Sequence, residues 1–313
     1  MSDAVVEGQP DRDAAVLAVD IGGTKMAAAM VGPDGEIFAD SRGPTVGSDA
    51  EDLFATLTDL VDATLAEVSA SPLVVGVGCG GPMSPGGATV SPLNIPQWRG
   101  FPLRARLAER YGLATFVDND AKALALGEGW MGAAKGSTDY LAMVVSTGVG
   151  GGIVLDGRLL DGATGNAGHI GHVIVEPLGR ACACGARGCL EAEVSGTAIA
   201  AMTGLPAAEA PLEVRVRTGR LVGRAVASVA NLLDLRLAVV AGSVALGYGA
   251  DFFRAAQLEA DRCARLDFSQ GLKIVASGCG SNGPILGAAA VAHAGRATAA
   301  RVTAGTIEPV ISA

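Results

Sequence analysis

The sequence contains few aromatic and few basic residues. Only 4% of its 313 residues are aromatic, and 23 Lys and Arg stand against 32 Asp and Glu, for a formal net charge of −9 at pH 7. Nucleic-acid-binding surfaces need a basic face, so this charge argues against a DNA- or RNA-binding protein. No uninterrupted apolar run reaches the roughly 18 residues of a membrane-spanning helix. The composition therefore predicts a soluble protein without a nucleic-acid or membrane partner.

The amino-terminal residues 1–13 are polar and acidic. They lack the positively charged start and the apolar stretch of a secretion signal, so we expect a flexible tail and a cytoplasmic location. Six cysteines in a chain of 313 residues do not indicate the disulfide framework of a small secreted protein. Cys79, Cys263 and Cys279 lie in apolar or helical segments and are expected to be small core residues.

Strand-like and helix-like segments alternate along the chain, which predicts an α/β fold with mixed sheets. Buried strands are expected over 15–20 and 140–146, and each is followed by a glycine turn, a second strand, another turn and a third strand. This repeated order fits two ordinary hairpins, or a duplicated fold whose halves each present a glycine turn to one ligand. Later helices are predicted over 219–234 and 250–265.

The first glycine turn follows a buried strand and has the sequence Asp20-Ile-Gly22-Gly23-Thr24-Lys25. Its glycines allow backbone N–H groups to approach an anion, and the threonine adds a hydroxyl donor. The aspartate offers the oxygen ligands that Mg²⁺ prefers. The spacing is neither a Walker A loop nor a dinucleotide fingerprint. A single Gly-Gly after a strand also fits a simple tight turn, and a second such turn strengthens the prediction of a phosphate site.

That second turn spans 147–151 and includes Thr147, Gly148 and Gly150, and we expect the strand after it to cover 152–155. Two further glycine elements follow apolar strands, at Gly242-Ser243 and at 277–280. Ligands bind where the strands of α/β sheets end, so these later elements could border an adenine and ribose pocket. The sequence thus predicts a nucleotide-binding site assembled from several turns.

An acidic pair, Asp118-Asn119-Asp120, separates a strand from an Ala- and Leu-rich helix. A carboxylate there can accept the proton of a substrate hydroxyl as the hydroxyl attacks phosphorus. The alternative is a helix cap, a position that Asp and Asn also favour. Because the chain has two predicted phosphate turns, catalysis is the favoured interpretation.

Three cysteines and a histidine form a potential metal site: His172, Cys182, Cys184 and Cys189. Three thiolates and one imidazole are the number and type of ligands of a closed, structural Zn²⁺ site. Buried or redox-active cysteines are the alternative. The three cysteines lie within eight residues, and the nearby histidine is one of only 3 in the chain. Both observations favour zinc.

Together these residues resemble the ROK family of repressors, open reading frames and kinases, and most of all its sugar-kinase branch of glucokinase type. The similarity covers residues 15–295, and the run Cys-x-Cys-Gly-x-x-Gly-Cys-x-Glu is its most specific part. It implies a two-domain actin-like (ribonuclease H-like) ATPase fold with duplicated mixed sheets and a central cleft. It also implies ATP and catalytic Mg²⁺, structural Zn²⁺, a hexose substrate, and a homodimer or homotetramer.

The resemblance also implies roles for single residues. Asp120 is the expected general base, and the zinc ligands are those named above. The residues expected to bind the sugar, besides Asp120, are Gly81, Asn94, Asn119, His172 and Glu191. One departure concerns Gly168-His169, because the family usually has a glutamate where this chain has His169. An imidazole offers fewer acceptors than a carboxylate, so a hexose that differs from glucose is an alternative substrate.

We expect two domains behind the tail. The small domain covers 14–122 together with a C-terminal helix at about 284–313, and the large domain covers 123–283 with a zinc loop over 168–191. The favoured function is an ATP-dependent hexose kinase acting on the 6-hydroxyl of glucose or a related hexose.

Three alternatives to this function stay open. The first is a kinase for an amino- or N-acyl-hexose, and the second is a catalytically weak sugar-sensing regulator. Only 19 residues precede Asp20, which leaves too little room for the DNA-binding domain of the family's repressors. The third, an ATPase of the heat-shock type, fits the cysteine cluster poorly. The sequence does not distinguish ATP from polyphosphate as the phosphoryl donor.

Overall fold

The computed structural model describes residues 14–303. The chain divides into two compact units: unit 1 comprises 1–120 and 288–313, and unit 2 comprises 121–287. The predicted domain boundaries, after residue 122 and near 284, lie within a few residues of this division. The predicted tail over 1–13 and the part of the predicted C-terminal helix beyond 303 lie outside the described residues.

Unit 1 contains a five-stranded mixed sheet with strand order β3-β2-β1-β4-β5. Its strands are β1 (Val16–Ile21), β2 (Lys25–Val31), β3 (Ile37–Pro44), β4 (Val75–Cys79) and β5 (Thr115–Asn119). The pairs β1–β2 and β2–β3 are antiparallel, whereas β1–β4 and β4–β5 are parallel. Helix α1 (Ala50–Ala66) begins after Asp49, whose side chain accepts from the backbone N–H groups of Glu51 and Asp52. Helix α2 covers Leu103–Tyr111.

Unit 2 repeats this arrangement with the strand order β10-β9-β6-β7-β8. Its strands are β6 (Tyr140–Val145), β7 (Val149–Leu155), β8 (Arg158–Leu159), β9 (Leu237–Ala241) and β10 (Lys273–Ala276). Again the first three strands in sequence form antiparallel pairs, and the last two are added in parallel. The predicted duplicated mixed sheets are therefore confirmed, and two unrelated hairpins do not explain the pattern.

Six further helices complete the described chain. They are α3 (Asp120–Met131), α4 (Leu190–Val194), α5 (Gly196–Thr203), α6 (Leu212–Leu233), α7 (Ser243–Cys263) and α8 (Gly283–Thr303). Two predicted starts were wrong: α6 begins seven residues before 219, and α7 begins seven residues before 250. The backbone of α7 leaves helical geometry at Gly249, with φ of 54°. The predicted helix begins at the next residue, 250.

Each unit has its own apolar core. In unit 1 the core includes Leu17, Leu57 and Trp98, all fully buried. Trp98 stacks on Phe101 with ring centroids 4.7 Å apart, and its indole N–H donates to the Ala50 carbonyl. In unit 2, α6 and α7 pack through small residues and Phe252. Among the described residues, no helix is both long enough and apolar enough to cross a membrane.

Candidate active site

The parallel strands of unit 1 end at one edge of the sheet, and acidic side chains lie at that edge. Asp20 of β1 is in register with Gly78 of β4, which is in register with Asp118 of β5. Asn119 ends β5, and Asp120 is the first residue of α3. Ligands bind outside the carboxyl ends of parallel strands. The structure therefore brings the predicted cation ligand Asp20 and the predicted base Asp120 to the edge where binding is expected.

The surroundings of Asp20 disfavour its negative charge. Burial, followed by the nearby Asp120 carboxylate, raises the pKa of Asp20 from 3.8 to about 7. Burial also raises the pKa of the Cys79 thiol well above its usual value, and the Asp120 and Asp20 carboxylates raise it further. The three side chains are therefore neighbours. A hard cation with oxygen ligands would relieve the repulsion between the two carboxylates, so the donor set fits Mg²⁺.

The first glycine turn joins β1 to β2 and is exposed. The Gly22 N–H donates to the Lys25 carbonyl at 2.9 Å, and the Thr45 hydroxyl donates to the Gly22 carbonyl at 2.7 Å. Gly23 packs against Asn94, because a Cβ on Gly23 would lie 2.6 Å from the Asn94 Cβ. The structure thus brings a predicted phosphate-turn residue against a predicted sugar-binding residue.

Two more predicted sugar-binding residues, Gly81 and Asn119, also lie together in unit 1. A Cβ on Gly81 would lie 3.2 Å from the Asn119 amide nitrogen. The Asn119 N–H donates to the Asp118 carboxylate at 2.7 Å, which fixes the backbone just before Asp120. All four of the residues predicted to bind the sugar from this unit, Gly81, Asn94, Asn119 and Asp120, therefore lie next to another predicted site residue.

The second glycine turn joins β6 to β7 in unit 2 and is tighter than predicted. It closes with the Ser146 N–H donating to the Gly148 carbonyl at 2.9 Å, and Thr147 is exposed at its tip. The start of α5 supports it, because the Gly196 N–H donates to the Ser146 carbonyl at 2.7 Å and the Thr197 hydroxyl donates to the Thr147 carbonyl at 3.0 Å.

The predicted extent of this turn, 147–151, was wrong. Gly150 lies inside β7, where a Cβ would be 2.8 Å from the Cβ of Ala121. The glycines after Val149 therefore allow helix α3 to pack closely on the strand. A nucleotide contact from Gly150 stays a prediction.

The element at Gly242-Ser243 lies beside the second turn. Gly242 has φ of 99° and packs on the Val145 backbone, where no side chain would fit. The Ser243 and Ser146 hydroxyls are 2.9 Å apart and form a hydrogen bond. The ends of β6 and β9 are thus joined, and a nucleotide contact from Gly242 and Ser243 stays a prediction.

Glu191, predicted to bind the sugar, contacts the second turn. One of its carboxylate oxygens accepts from the Val149 N–H at 2.9 Å and lies 2.9 Å from where a Cβ on Gly148 would be. Sequence reasoning did not find the supporting residues Thr197 and Gly196. A Ser-Gly-Thr run before an apolar segment is a helix-start signal that could have indicated α5.

The predicted zinc residues converge. The ligand atoms of His172, Cys182, Cys184 and Cys189 all lie within 4.8 Å of one another. The Cys184 and Cys189 sulfurs are 3.7 Å apart, and the Cys182 sulfur is 3.7 Å from His172 Nδ1. A tetrahedral zinc with bonds of about 2.3 Å to sulfur separates two sulfurs by roughly 3.8 Å. The cluster therefore has the ligands and the spacing of a Cys₃His zinc site.

A small hairpin carries the cysteines. Ala181 pairs with Arg187, and Gly188, with φ of 72°, packs against the Glu176 carbonyl. Behind the hairpin, the buried Glu193 carboxylate accepts from the Arg180 N–H and from the Arg217 guanidinium, both at 2.6 Å. These contacts fix the hairpin on α4 and α6 independently of any metal.

His169 is exposed and lies next to the cysteine cluster, with its ring centroid 6.1 Å from that of His172. Gly168, with φ of 97°, packs on the Gly151 carbonyl, and the buried Ile170 follows. The backbone on both sides of His169 is therefore held against β7. The histidine side chain is presented at the surface of unit 2.

Two five-stranded sheets of identical strand order, each with a glycine turn after its first strand, define the actin-like class of ATPase folds. A model of the ROK family matches residues 16–295. The chain belongs to the ROK family.

Its relatives include sugar kinases. The chain is 41% identical over 189 residues to a glucokinase of Thermotoga maritima, an alignment that covers 59% of this chain and 58% of the glucokinase. It is 36% identical over 250 residues to an N-acetylmannosamine kinase of Shigella flexneri, covering 75% of this chain and 84% of that enzyme. The aligned region thus spans less than two thirds of the Thermotoga protein.

A solved structure of a sugar kinase is also similar to this chain. The structure of a ROK family glucokinase from Streptomyces griseus in complex with glucose and AMPPNP is similar, with a TM-score of 0.76 and 29% identity over 88% of this chain and 98% of that one. The predicted family, the actin-like fold and the class of enzyme, a sugar kinase, are confirmed.

Proposed function

We propose that the protein is an ATP-dependent hexose kinase that phosphorylates the 6-hydroxyl of glucose or a closely related hexose. The observation that carries this proposal is the pair Asp20 and Asp120, which meets at the carboxyl edge of the unit 1 sheet beside an exposed glycine turn. A carboxylate for the substrate proton and a second one for a cation are what phosphoryl transfer from ATP to an alcohol requires.

The proposed reaction needs one base. The Asp120 carboxylate accepts the proton of the hexose 6-hydroxyl as the oxygen forms a bond to the γ-phosphorus. The bond from that phosphorus to the bridging oxygen of the β-phosphate breaks, and ADP leaves with the electron pair. Asn119, Asn94 and Gly81 are proposed to hold the sugar so that its 6-hydroxyl meets Asp120. Such positioning supplies much of the rate enhancement.

The nucleotide is proposed to bind through the glycine turns and the elements after later strands. Mg²⁺ bound near Asp20 would offset the negative charge on the phosphates. Glycine-rich backbone and nearby hydroxyls are suited to phosphate oxygens. The residues concerned are Gly22, Gly23, Thr24, Lys25, Thr147, Gly148, Gly150, Gly242 and Ser243.

The proposed sugar contacts from unit 2 are His169, His172 and Glu191. A histidine in place of a glutamate removes acceptor capacity, which favours a hexose that differs from glucose near its first carbons. The similarity to N-acetylmannosamine kinases supports the alternative of an N-acyl-hexose. Zn²⁺ held by His172, Cys182, Cys184 and Cys189 is proposed to be structural, because four protein ligands leave no open position.

The deciding experiment measures ADP release with Mg-ATP against glucose, mannose, glucosamine, N-acetylglucosamine and N-acetylmannosamine. We expect sugar-dependent ADP release with at least one of them, and polyphosphate in place of ATP tests the donor. Sugar binding by calorimetry without any turnover would contradict the kinase and support the sugar-sensing regulator. A cytoplasmic location and a homodimer or homotetramer stay predictions, and size measurement in solution tests the oligomer.

A further inference from the structure

Lys122 is a buried cation in an unfavourable place. Its side chain is 4% exposed, and it is the third residue of α3, two positions after Asp120. The amino-terminal end of a helix carries partial positive charge and disfavours a cation. Burying an ammonium group also costs free energy unless the group is paired and hydrogen-bonded. A lysine at this position therefore depends on specific partners.

Two partners of Lys122, Asp161 and Gly165, lie in the irregular segment between β8 and His169. The ammonium group donates to the Asp161 carboxylate at 2.7 Å and to the Gly165 carbonyl at 3.2 Å. The segment closes on itself, because the Ala167 N–H donates to the Asp161 carbonyl at 2.9 Å. We call residues 161–167 the strap loop. Lys122 thus fastens the strap loop at two points, one of them a charged pair.

The strap loop leads directly into the segment that holds His169. Gly168 follows it and packs on the β7 backbone, so the loop has its last end fixed by the sheet, and its first residue and its middle are fixed by Lys122. The second glycine turn is held by other residues, Glu191, Gly196 and Thr197. The contacts of Lys122 therefore affect the loop before His169 without forming part of the support of that turn.

We propose that Lys122 is a positioning residue for the hexose: by fastening the strap loop to the helix that begins with Asp120, it sets where His169 meets the sugar. This inference rests on the proposed function, since it takes His169 as a sugar contact. It assigns a role in substrate selection to a lysine and an aspartate that the sequence analysis did not single out.

Two variants and one control test this role. Lys122→Met keeps an apolar stem but has no donor, and Asp161→Asn removes the charge of a residue whose side chain is 69% exposed, so that variant is expected to fold. Lys135→Met makes the same change at an exposed lysine. The measurements are KM for the best hexose, KM for ATP, kcat, and hydrogen exchange of the amides of 161–169.

In Lys122→Met we expect the hexose KM to rise by about 10- to 100-fold, the scale of a displaced substrate contact. The KM for ATP should stay close to that of the wild type, and amide exchange should increase in the strap loop. Asp161→Asn should shift the hexose KM in the same direction, and adding it to Lys122→Met should have little further effect. Lys135→Met should change none of these values.

An unchanged hexose KM in both variants, with the wild type active, would overturn the inference. So would equal increases in both KM values together with a lowered Tm, because that pattern indicates a purely structural ion pair. Failure of the proposed function looks different: the wild-type protein itself would release no ADP with any hexose.

Discussion

The two sheets share one strand order and differ in what lies at the edge where their parallel strands end. The unit 1 edge carries two neighbouring carboxylates, Asp20 and Asp120. In unit 2 the strand aligned with β1 is β6, whose turn residues Ser146, Thr147 and Gly148 are uncharged. The duplicated fold supplies two similar scaffolds, and the neighbouring pair of carboxylates lies on the first, whereas the turn of the second contacts the single carboxylate of Glu191.

The two glycine turns are also supported differently. Thr45 and Asn94 contact the first turn through their side chains. The second turn is held by the backbone of α5 and by the half-buried carboxylate of Glu191. Both turns thus contact a predicted sugar-binding residue, Asn94 in unit 1 and Glu191 in unit 2, but the unit 2 turn is also held by backbone hydrogen bonds from the start of α5. The difference between the two turns therefore comes from the loops and short helices around each sheet, because the strand order of the sheets is the same.

The largest expected effect concerns the acidic edge. Asp120→Asn should lower turnover by at least ~100-fold, the usual scale for loss of a general base. Hexose binding should weaken far less, because an amide still hydrogen-bonds a hydroxyl. Steady-state kinetics and calorimetric titration with the hexose measure the two effects separately.

Asp118→Asn is the matched control for that change. The Asp118 side chain accepts a hydrogen bond from the Asn119 N–H, and the asparagine carbonyl oxygen can still accept it. Most of the turnover should therefore remain. If Asp120→Asn retains more than about a third of the wild-type turnover, Asp120 is not the base.

The second prediction tests the metal on the unit 2 side. Purified protein should contain about one zinc per chain, and Cys184→Ser should lose the zinc, lower Tm and remove most of the activity, because the affinity for a structural metal is part of the folding free energy. Metal analysis and thermal melting measure this. Cys263→Ser, away from the cluster, serves as a control, and fully active protein that contains no zinc would refute the assignment.

A smaller effect distinguishes the two turns. Gly23→Ala places a Cβ 2.6 Å from the Asn94 Cβ, so the loop that carries Asn94 must move. We expect kcat/KM for the hexose to fall by about 10-fold. Gly148→Ala meets the end of the Glu191 side chain instead, which can shift more easily, so its loss should be smaller.

Gly247→Ala is the control for both glycine changes, because an added Cβ there meets no atom within 4 Å. It should leave kcat/KM unchanged. Equal losses in Gly23→Ala and Gly148→Ala would contradict the difference between the two turns that we describe.

The smallest predicted effect concerns His169. If this histidine shifts preference away from glucose, His169→Glu should raise kcat/KM for glucose by ~5-fold or more, the value of one recovered acceptor for a buried hydroxyl. The hexose panel measures this with wild type and variant side by side. Should glucose already be the best substrate and the variant show no gain, His169 does not set specificity.

Strands were predicted more closely than helices. β1 and β6 lie within a residue of their expected limits, because buried strands are short apolar runs with clear glycine or aspartate boundaries. The first two turns of α6 were missed, since Leu212 and Val216 there are 57% and 41% exposed and break the apolar periodicity. The glycines of β7 suggested a longer turn because the close packing of Ala121 on Gly150 is a tertiary contact.

The site shows the same limit of sequence reasoning. Residue types with distinctive chemistry and spacing, such as the cysteines of the hairpin and the acids at the end of β5, could be found in the sequence. Glu193 with Arg217, and Lys122 with Asp161, could not, because each pair joins residues that are distant in sequence and ordinary in composition. The burial of Glu193 and of Lys122 becomes visible only when the helices are packed.

The most direct test of the central claim is phosphorus NMR of the products formed by the wild-type protein with Mg-ATP and the best hexose of the panel. The account predicts the resonances of ADP and of a hexose 6-phosphate in equal amounts, with no ADP formed when the sugar is omitted and almost no product from Asp120→Asn. ADP formation that does not depend on sugar, or phosphate on a hydroxyl other than that at carbon 6, would contradict it.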